Sequence, residues 1–495
     1  MKSIQLLARA RVHGDRIAFQ SDHDKHSYAE LIDRAEQLAH QLLDGRDDLQ
    51  EARIGFLIPA GVDYVVAQWG VWLAGGIAVP LSLSATVPEL SYTLKDSQTC
   101  CLIANQDQLK QLTSVIEAFD LRTLTPDVPS ENNTDTLPPI TPDRRAMILY
   151  TSGTTSTPKG VVTTHANIES QITTLVEAWQ WESTDRIPLF LPLHHIHGII
   201  NVMSCALWSG ATIEPFAKFK TDLILNRVAA GAYTVFMAVP TIYVKLIQAI
   251  ESETSDSQSA IIAGFAAMRL MVSGSAALPA SVHEHWTRLT NQQLLERYGM
   301  TEIGMALSNP YHGERRPGAV GQPLPLVELR LKSETGEIIA GENQPGEIQV
   351  CGPCVFLEYW DRESVTIDSF DEGWFQTGDV AVLEDGYYRI MGRQSVDIIK
   401  SGGYKLSALE IEAALLQHEA IRECAVVGVE DATWGEAVAV AIVVQDDTML
   451  QLESLRNWCQ GRLSQYKIPK HLLVVDQLPR NAMGKITKPA VRKFF

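Results

Sequence analysis

The chain has 495 residues, of which 45% are hydrophobic and 20% charged, and its formal net charge is −18. That length exceeds one ordinary core and calls for two or more domains. The acidic balance excludes a surface built for nucleic acid or anionic membrane, which reward clustered Lys and Arg, yet it leaves room for a local cationic pocket.

Residues 1–19 hold no apolar run of signal-peptide length and read straight into a domain pattern. Leu31, Ala35, Leu38 and Leu42 recur at helical spacing, which predicts an amphipathic helix over Tyr28–Leu43. Ile54-Gly-Phe-Leu-Ile then reads as a buried strand and residues 64–73 as the next helix. The apolar stretch 65–81 carries Gln68, Gly70, Gly75, Gly76 and Pro80, so it suits a packed helix and turn rather than a membrane span. This alternation predicts an α/β body of layered, mostly parallel sheets covered by helices. Residues 125–145, rich in Pro, Asp, Asn and Thr, read as a solvated loop leading into a strand at 146–150, and residues 251–259 as a second polar loop. From Gly341 onward, Gly and Pro turns separate short strands such as 346–350 and 386–390, a β-rich part of the same body. After Arg393 the pattern becomes a small α+β unit, with a helix at 407–418 capped by Ser407 and a strand at 424–429. The expected domains are residues 1–392 and 393–495. No internal repeat is seen.

Seven cysteines, an odd number spread along the chain, indicate a reducing compartment, and a cytoplasmic protein is expected. Cys351-Gly-Pro-Cys354 copies the spacing of a redox motif. Such a motif needs a helix start that lowers the thiol pKa, and Val355-Phe-Leu-Glu-Tyr-Trp offers none, so a structural turn is expected.

The strongest local signal is TSGTTSTPKG at 151–160, directly after the strand 146–150. Hydroxyls, glycines and one lysine suit a loop that wraps phosphate oxygens, with Thr151, Ser152, Gly153, Thr154, Thr155 and Lys159 as its donors. It is not a Walker loop, because Pro158 precedes the lysine and Gly160 follows where a Ser or Thr would hold Mg²⁺. The β-branched run after Gly160 predicts that the loop joins two strands.

With this loop stand six further motifs in order. They are PLHHIHG at 192–198, RYGMTE at 297–302, FQTGD at 375–379, Gly392-Arg393, KSGGY at 400–404 and PRNAMGK at 479–485. Together they span nearly the whole chain and resemble the adenylate-forming superfamily of acyl-CoA synthetases, luciferases and adenylation domains. The resemblance implies an enzyme that uses ATP, Mg²⁺ and coenzyme A to convert a carboxylic acid first to an acyl-adenylate and then to a thioester. It implies that Glu302 holds Mg²⁺, Thr301 donates to the α-phosphate and Tyr298 stacks on adenine. Asp379 and Arg393 would hold the ribose, Lys485 would steady the reacting α-phosphate and carboxylate, and His195 would gate the acyl carboxylate. It further implies a mobile C-terminal domain turning about Ser395, where relatives usually carry Asp or Lys. That motion would remove Lys485 and bring Gly402, Gly403 and Tyr404 to a CoA tunnel, whose wall needs residues without a Cβ.

Within the superfamily, residues 297–326, residues 268–277 and the pair His195 and His197 are most similar to malonyl-CoA and methylmalonyl-CoA synthetases. A small dicarboxylic acid is therefore the expected substrate. Its second carboxylate could not be buried unpaired, and a bidentate arginine is the natural partner. Arg269 is the expected clamp, with His197, Ser273 and Met305 shaping the pocket. Arg315 and Arg316 read as solvated loop charges and His194 as structural. A monocarboxylate ligase, an enzyme loading a carrier protein and a non-catalytic adenylate sensor are the alternatives. The oligomeric state, monomer or dimer, stays open.

Overall fold

The computed structural model describes residues 4–127, 136–151, 157–401, 404–431, 433–445, 449–480 and 486–495. The helix Tyr28–Leu43 forms as its spacing requires. The Ser27 hydroxyl accepts from the Glu30 amide, and Leu31, Ala35, Leu38 and Leu42 are buried on one face. The stretch that could have suggested a membrane span is the helix Val62–Leu73, buried on all sides from Tyr64 onward. It turns at Gly75, whose φ of +79° favours glycine, into the strand Ile77–Pro80. Among the described residues no helix is long and apolar enough to cross a membrane.

Besides a sheet of Lys25–Ser27, Ile17–Gln20, Thr212–Pro215 and Arg186–Leu189, two larger sheets carry the N-terminal body. One runs in the order Glu358–Tyr359, Lys159–Thr164, Arg145–Thr151, Ile77–Pro80, Arg53–Leu57, Cys101–Ala104, Arg122–Leu124. It is parallel from Arg145–Thr151 to Arg122–Leu124 and antiparallel at the other edge. The second sheet sets Val235–Ala238, Leu270–Ser273 and Leu295–Met300 parallel, then adds Gly304–Ser308 and Gln322–Pro323 antiparallel. The β-rich part is an antiparallel sheet built on Gly346–Cys351, Trp374–Glu384 and Tyr387–Arg393. Beyond it, Ile398–Ser401, Tyr404–Ser407, Ile421–Asp431, Gly435–Val444 and His471–Val474 form a further sheet. Most of its apolar side chains make clusters of their own, from Ile399 to Ile468 and from Ala425 to Val491, apart from the main core that ends at Ala381, while Ile398 packs with Val380, Val382 and Met391 of the β-rich sheet.

One expected loop is not a loop. Residues 251–259 break only at Glu253 and Thr254, between the helices Pro240–Ser252 and Ser255–Ala266. Their polar side chains face solvent on a helix surface, which composition alone cannot tell from a loop. The Cys351 to Cys354 segment is a turn with no helix after it. Burial pushes the Cys354 thiol up to about 11, the opposite of a reactive thiolate.

Candidate active site

The TSGTTSTPKG segment is flanked by two paired strands, as its β-branched flank predicts. Arg145–Thr151 pairs antiparallel with Lys159–Thr164, and Thr151 lies opposite Lys159. Ser152, Gly153, Thr154 and Thr155 lie outside the described residues. The Lys159 ammonium sits 5.1 Å from the centre of the Tyr359 ring. The Tyr359 hydroxyl donates to Glu302 Oε1 at 3.0 Å. Burial pushes the Glu302 carboxyl up, while Tyr359 and the charge of Arg393 oppose that shift. Thr301 is half-buried in the turn before Glu302. Among the described residues no group of three or more His, Cys, Asp or Glu side chains could hold a metal ion. A single buried carboxylate fits Mg²⁺, which keeps waters and substrate phosphates around one or two protein oxygens.

A second constellation lies on the β-rich sheet. Asp379 and Arg393 are cross-strand partners, and Arg393 Nε approaches Asp379 Oδ1 at 3.0 Å. The Tyr298 hydroxyl reaches across from the neighbouring sheet and donates to Asp379 Oδ2 at 2.6 Å. Burial pushes the Asp379 carboxyl up, and Arg393 and Tyr298 pull it back. If Asp379 grips a ribose, its orientation depends on that phenol. Tyr298→Phe is expected to raise the KM for ATP about tenfold, the weight of one hydrogen bond to a charged group, with kcat less affected. Steady-state kinetics at varied ATP reads this directly.

The acid end departs from expectation at Arg269. Its guanidinium is bidentate on the buried Asp185, with Nε 2.7 Å from Oδ1 and a second bond from Nη2 to Oδ2. Nη1 donates to the Trp179 carbonyl at 3.0 Å, and the group lies over the Tyr311 ring. Arg269 precedes the strand Leu270–Ser273, so it stands at the end opposite Ser273. At ~3.3 Å per residue the strand carries the chain more than 10 Å before it reaches the Ser273 end. In open α/β sheets ligands gather at the carboxyl ends of strands. In this structure Arg269 is thus engaged by Asp185 rather than free to clamp a second carboxylate. Arg316 is no substitute, since it pairs with Glu314 at 3.1 Å and lies over Tyr387.

A different arginine occupies the carboxyl end. Arg297 is 4% exposed and has no carboxylate partner among the described residues. Its Nη2 donates to Ser275 Oγ at 3.3 Å, and its guanidinium lies against Gly274, where no Cβ would fit. His197 Nδ1 meets the same Ser275 hydroxyl at 3.0 Å. Ser275 holds both from a φ of +71°, a strained conformation for a non-glycine residue. Burial lowers the Arg297 pKa to about 9. Burial first, then the Arg297 charge, keeps the His197 imidazole well below its ordinary range and so neutral. His197 Nε2, Ser273 Oγ and Arg297 Nε are buried without partners among the described residues. Met305 is buried opposite Gly299 on the adjoining strand. His195 is half-buried, its ring 4.2 Å from that of His194, which burial lowers to about 4.

Sequence reasoning missed Arg297, Ser275 and Tyr359 as site residues. Arg297 stood inside a quoted motif, next to Tyr298, but adjacency does not reveal which strand face is buried. Toward the C-terminus, Ser395 is exposed in a turn at 394–397. Asp397 closes that turn by accepting from the Arg393 amide at 2.9 Å, and Lys488 Nζ reaches Asp397 at 2.5 Å and Glu412 at 2.8 Å. Tyr404 is exposed and stacks on Tyr466 at 4.5 Å. Gly402, Gly403 and Lys485 lie outside the described residues.

The pattern of the AMP-binding enzyme family matches residues 6–360, and that of the AMP-binding enzyme C-terminal domain matches residues 410–485. The chain is 41% identical to malonate–CoA ligase ACSF3, mitochondrial, of Homo sapiens, across 100% of this chain and 92% of that one. It is 39% identical to malonate–CoA ligase of Arabidopsis thaliana, across 97% of this chain and 86% of that one. The crystal structure of ATP-bound MatB from Rhodopseudomonas palustris superposes with a TM-score of 0.89 at 33% identity, covering 100% of this chain and 99% of that one. With Lys159, Glu302 and Tyr359 linked to one another, and Tyr298, Asp379 and Arg393 linked beside them, the chain belongs to the AMP-binding enzyme family.

Proposed function

We propose that the chain ligates malonate, or the closely related methylmalonate, to coenzyme A through an acyl-adenylate. The observation that carries the dicarboxylate part is Arg297, a buried cation with no carboxylate partner among the described residues. An uncompensated buried charge is costly, and a substrate anion is the counter-charge the pocket is built to receive. The relatives named malonate–CoA ligase support the same acid.

In this reading Arg297 pairs with the distal carboxylate, while His197, Ser273 and Met305 enclose the short carbon chain. The other carboxylate attacks the α-phosphorus, the bond to the bridging oxygen breaks, and pyrophosphate leaves with the electron pair. Asp379 and Arg393 hold the ribose and Tyr298 flanks adenine. Thr301 donates to the α-phosphate, Thr151 and Lys159 flank the other phosphates, and His195 covers the reacting carboxylate. Glu302 would hold Mg²⁺, which neutralises phosphate charge. In the second step the CoA sulfur attacks the acyl carbonyl, the C–O bond to AMP breaks, and the thiol proton passes to solvent.

Between the steps the part from residue 393 onward turns about Ser395, removing Lys485 and presenting Gly402, Gly403 and Tyr404. The exposed turn at 394–397 and the separate apolar clusters on its far side support this division. Lys400 and Lys405 meet Glu334 across the two parts at 3.0 and 3.4 Å, and such exposed pairs bias a conformation without locking it. Gly403→Leu is expected to stop thioester formation while malonate-dependent pyrophosphate exchange continues. Loss of exchange as well would make the glycine a structural residue instead. The cytoplasm suits the seven free cysteines, and fractionation of the native host checks it against the mitochondrial placement in the relatives' names.

The test of the whole reading is pyrophosphate release over a panel of mono- and dicarboxylic acids of two to ten carbons, with ATP, Mg²⁺ and CoA. Malonate or methylmalonate is expected to lead. A long monocarboxylate outpacing every dicarboxylate would overturn the acid assignment. Absence of AMP release with CoA alone would point to a carrier-protein thiol as the acceptor.

A further inference from the structure

The segment after His197 is a π-helix, His197–Ser204. Its i→i+5 bonding sets residues four and five apart on a shared face, and such turns recur at functional sites. Asn201 therefore follows His197 on one face of the helix, and His197 meets Ser275 beside Arg297. Asn201 is wholly buried, and among the described residues neither Nδ2 nor Oδ1 has a partner. An amide so placed gives up its water without replacement, a cost that few native side chains carry unless something else satisfies them.

Several of the orphaned groups share a character. His197 Nε2, Arg297 Nε and the Asn201 amide can all donate, and Ser273 Oγ can join them. When the Ser275 hydroxyl donates to His197 Nδ1, the neutral ring carries its proton on Nε2. A carboxylate offers about four acceptor positions, more than one guanidinium edge can fill. The methyl end of a monocarboxylic acid fills none of these donors and would leave them dry and unpaired.

We propose that Asn201 is a specificity-determining residue, its side-chain Nδ2 donating to the distal carboxylate of the acid beside Arg297. This rests on the dicarboxylate reading given above and names a second residue for the same subsite. Arg297 supplies the charge. Asn201 supplies a neutral, directional donor from the helix, so the carboxylate is held from two elements.

The test compares kcat/KM for malonate and butyrate by pyrophosphate release in the full chain, for wild type, Asn201→Leu, Asn201→Asp and Arg297→Met. Asn201→Leu is expected to lower the malonate value roughly 10- to 100-fold, the scale of one hydrogen bond to a charged group, and to leave butyrate within about threefold. Asn201→Asp, nearly isosteric and so the safer fold, replaces a donor by an anion and is expected to lower malonate further with butyrate again little changed. Melting curves with ATP present confirm that each variant is folded. Equal losses on both acids would make Asn201 a packing residue and overturn the proposal. So would an unchanged ratio in both Asn201 variants alongside a changed ratio in Arg297→Met. An unchanged ratio in Arg297→Met would instead overturn the dicarboxylate reading, and this proposal would fall with it.

Discussion

Arg297→Met is expected to lower kcat/KM for malonate by more than about a hundredfold while leaving butyrate unchanged or improved. The distal carboxylate would be enclosed without its cation, and an unpaired buried charge typically costs about 3–5 kcal/mol. The same substitution is expected to raise the melting temperature of the unliganded protein. Burial depresses the Arg297 pKa to about 9 in the fold, against an ordinary value of 12.5, so folding disfavours the charged form. That penalty is fully present at neutral pH and is relieved as pH rises from about 9 toward 12.5. The stability advantage of the variant should therefore shrink as pH climbs above about 9. Arg269→Met supplies the contrast. It strips the buried Asp185 of its bidentate partner and should destabilise the protein by about 3–5 kcal/mol, with the malonate-to-butyrate ratio unmoved. If the ratio follows Arg269 instead, the assignment of the two arginines is reversed.

Lys485→Ala is expected to separate the two half-reactions. Adenylation, read as malonate-dependent pyrophosphate exchange, should fall by ~10²-fold or more, the scale of losing one preorganised charge contact. Thioester formation from presynthesised malonyl-adenylate and CoA should persist, because in the proposed rotation the lysine has left the reacting centre before the thiol attacks. Equal loss in both half-reactions would argue that one conformation serves both and that no rotation about Ser395 occurs.

Much of this protein can be read from local chemistry. The alternation of helical and strand periods announces an α/β body, since burial of one face requires that spacing. The β-branched run after Gly160 announces a loop between strands, and Lys159 indeed lies opposite Thr151. Glu302, Asp379 and Arg393 are singled out by motifs that resemble the adenylate-forming superfamily, and the fold sets Asp379 and Arg393 side by side as cross-strand partners. A polar run such as 251–259 is not legible, because a solvated helix face and a solvated loop have the same composition.

What only the tertiary structure decided is how two arginines of similar sequence setting are partnered. Arg269 and Arg297 stand on neighbouring parallel strands, and both lie in segments that resemble the same enzymes. Their fates diverge because a strand has a direction and two faces. Arg269 enters its strand at the amino end, where Asp185 neutralises it. Arg297 lies within its strand, level with the carboxyl end of the neighbouring strand Leu270–Ser273, where it is buried beside Ser275 and His197. Strand pairing sets both the end and the face, and pairing joins residues far apart in the chain, such as Val272 with Leu295.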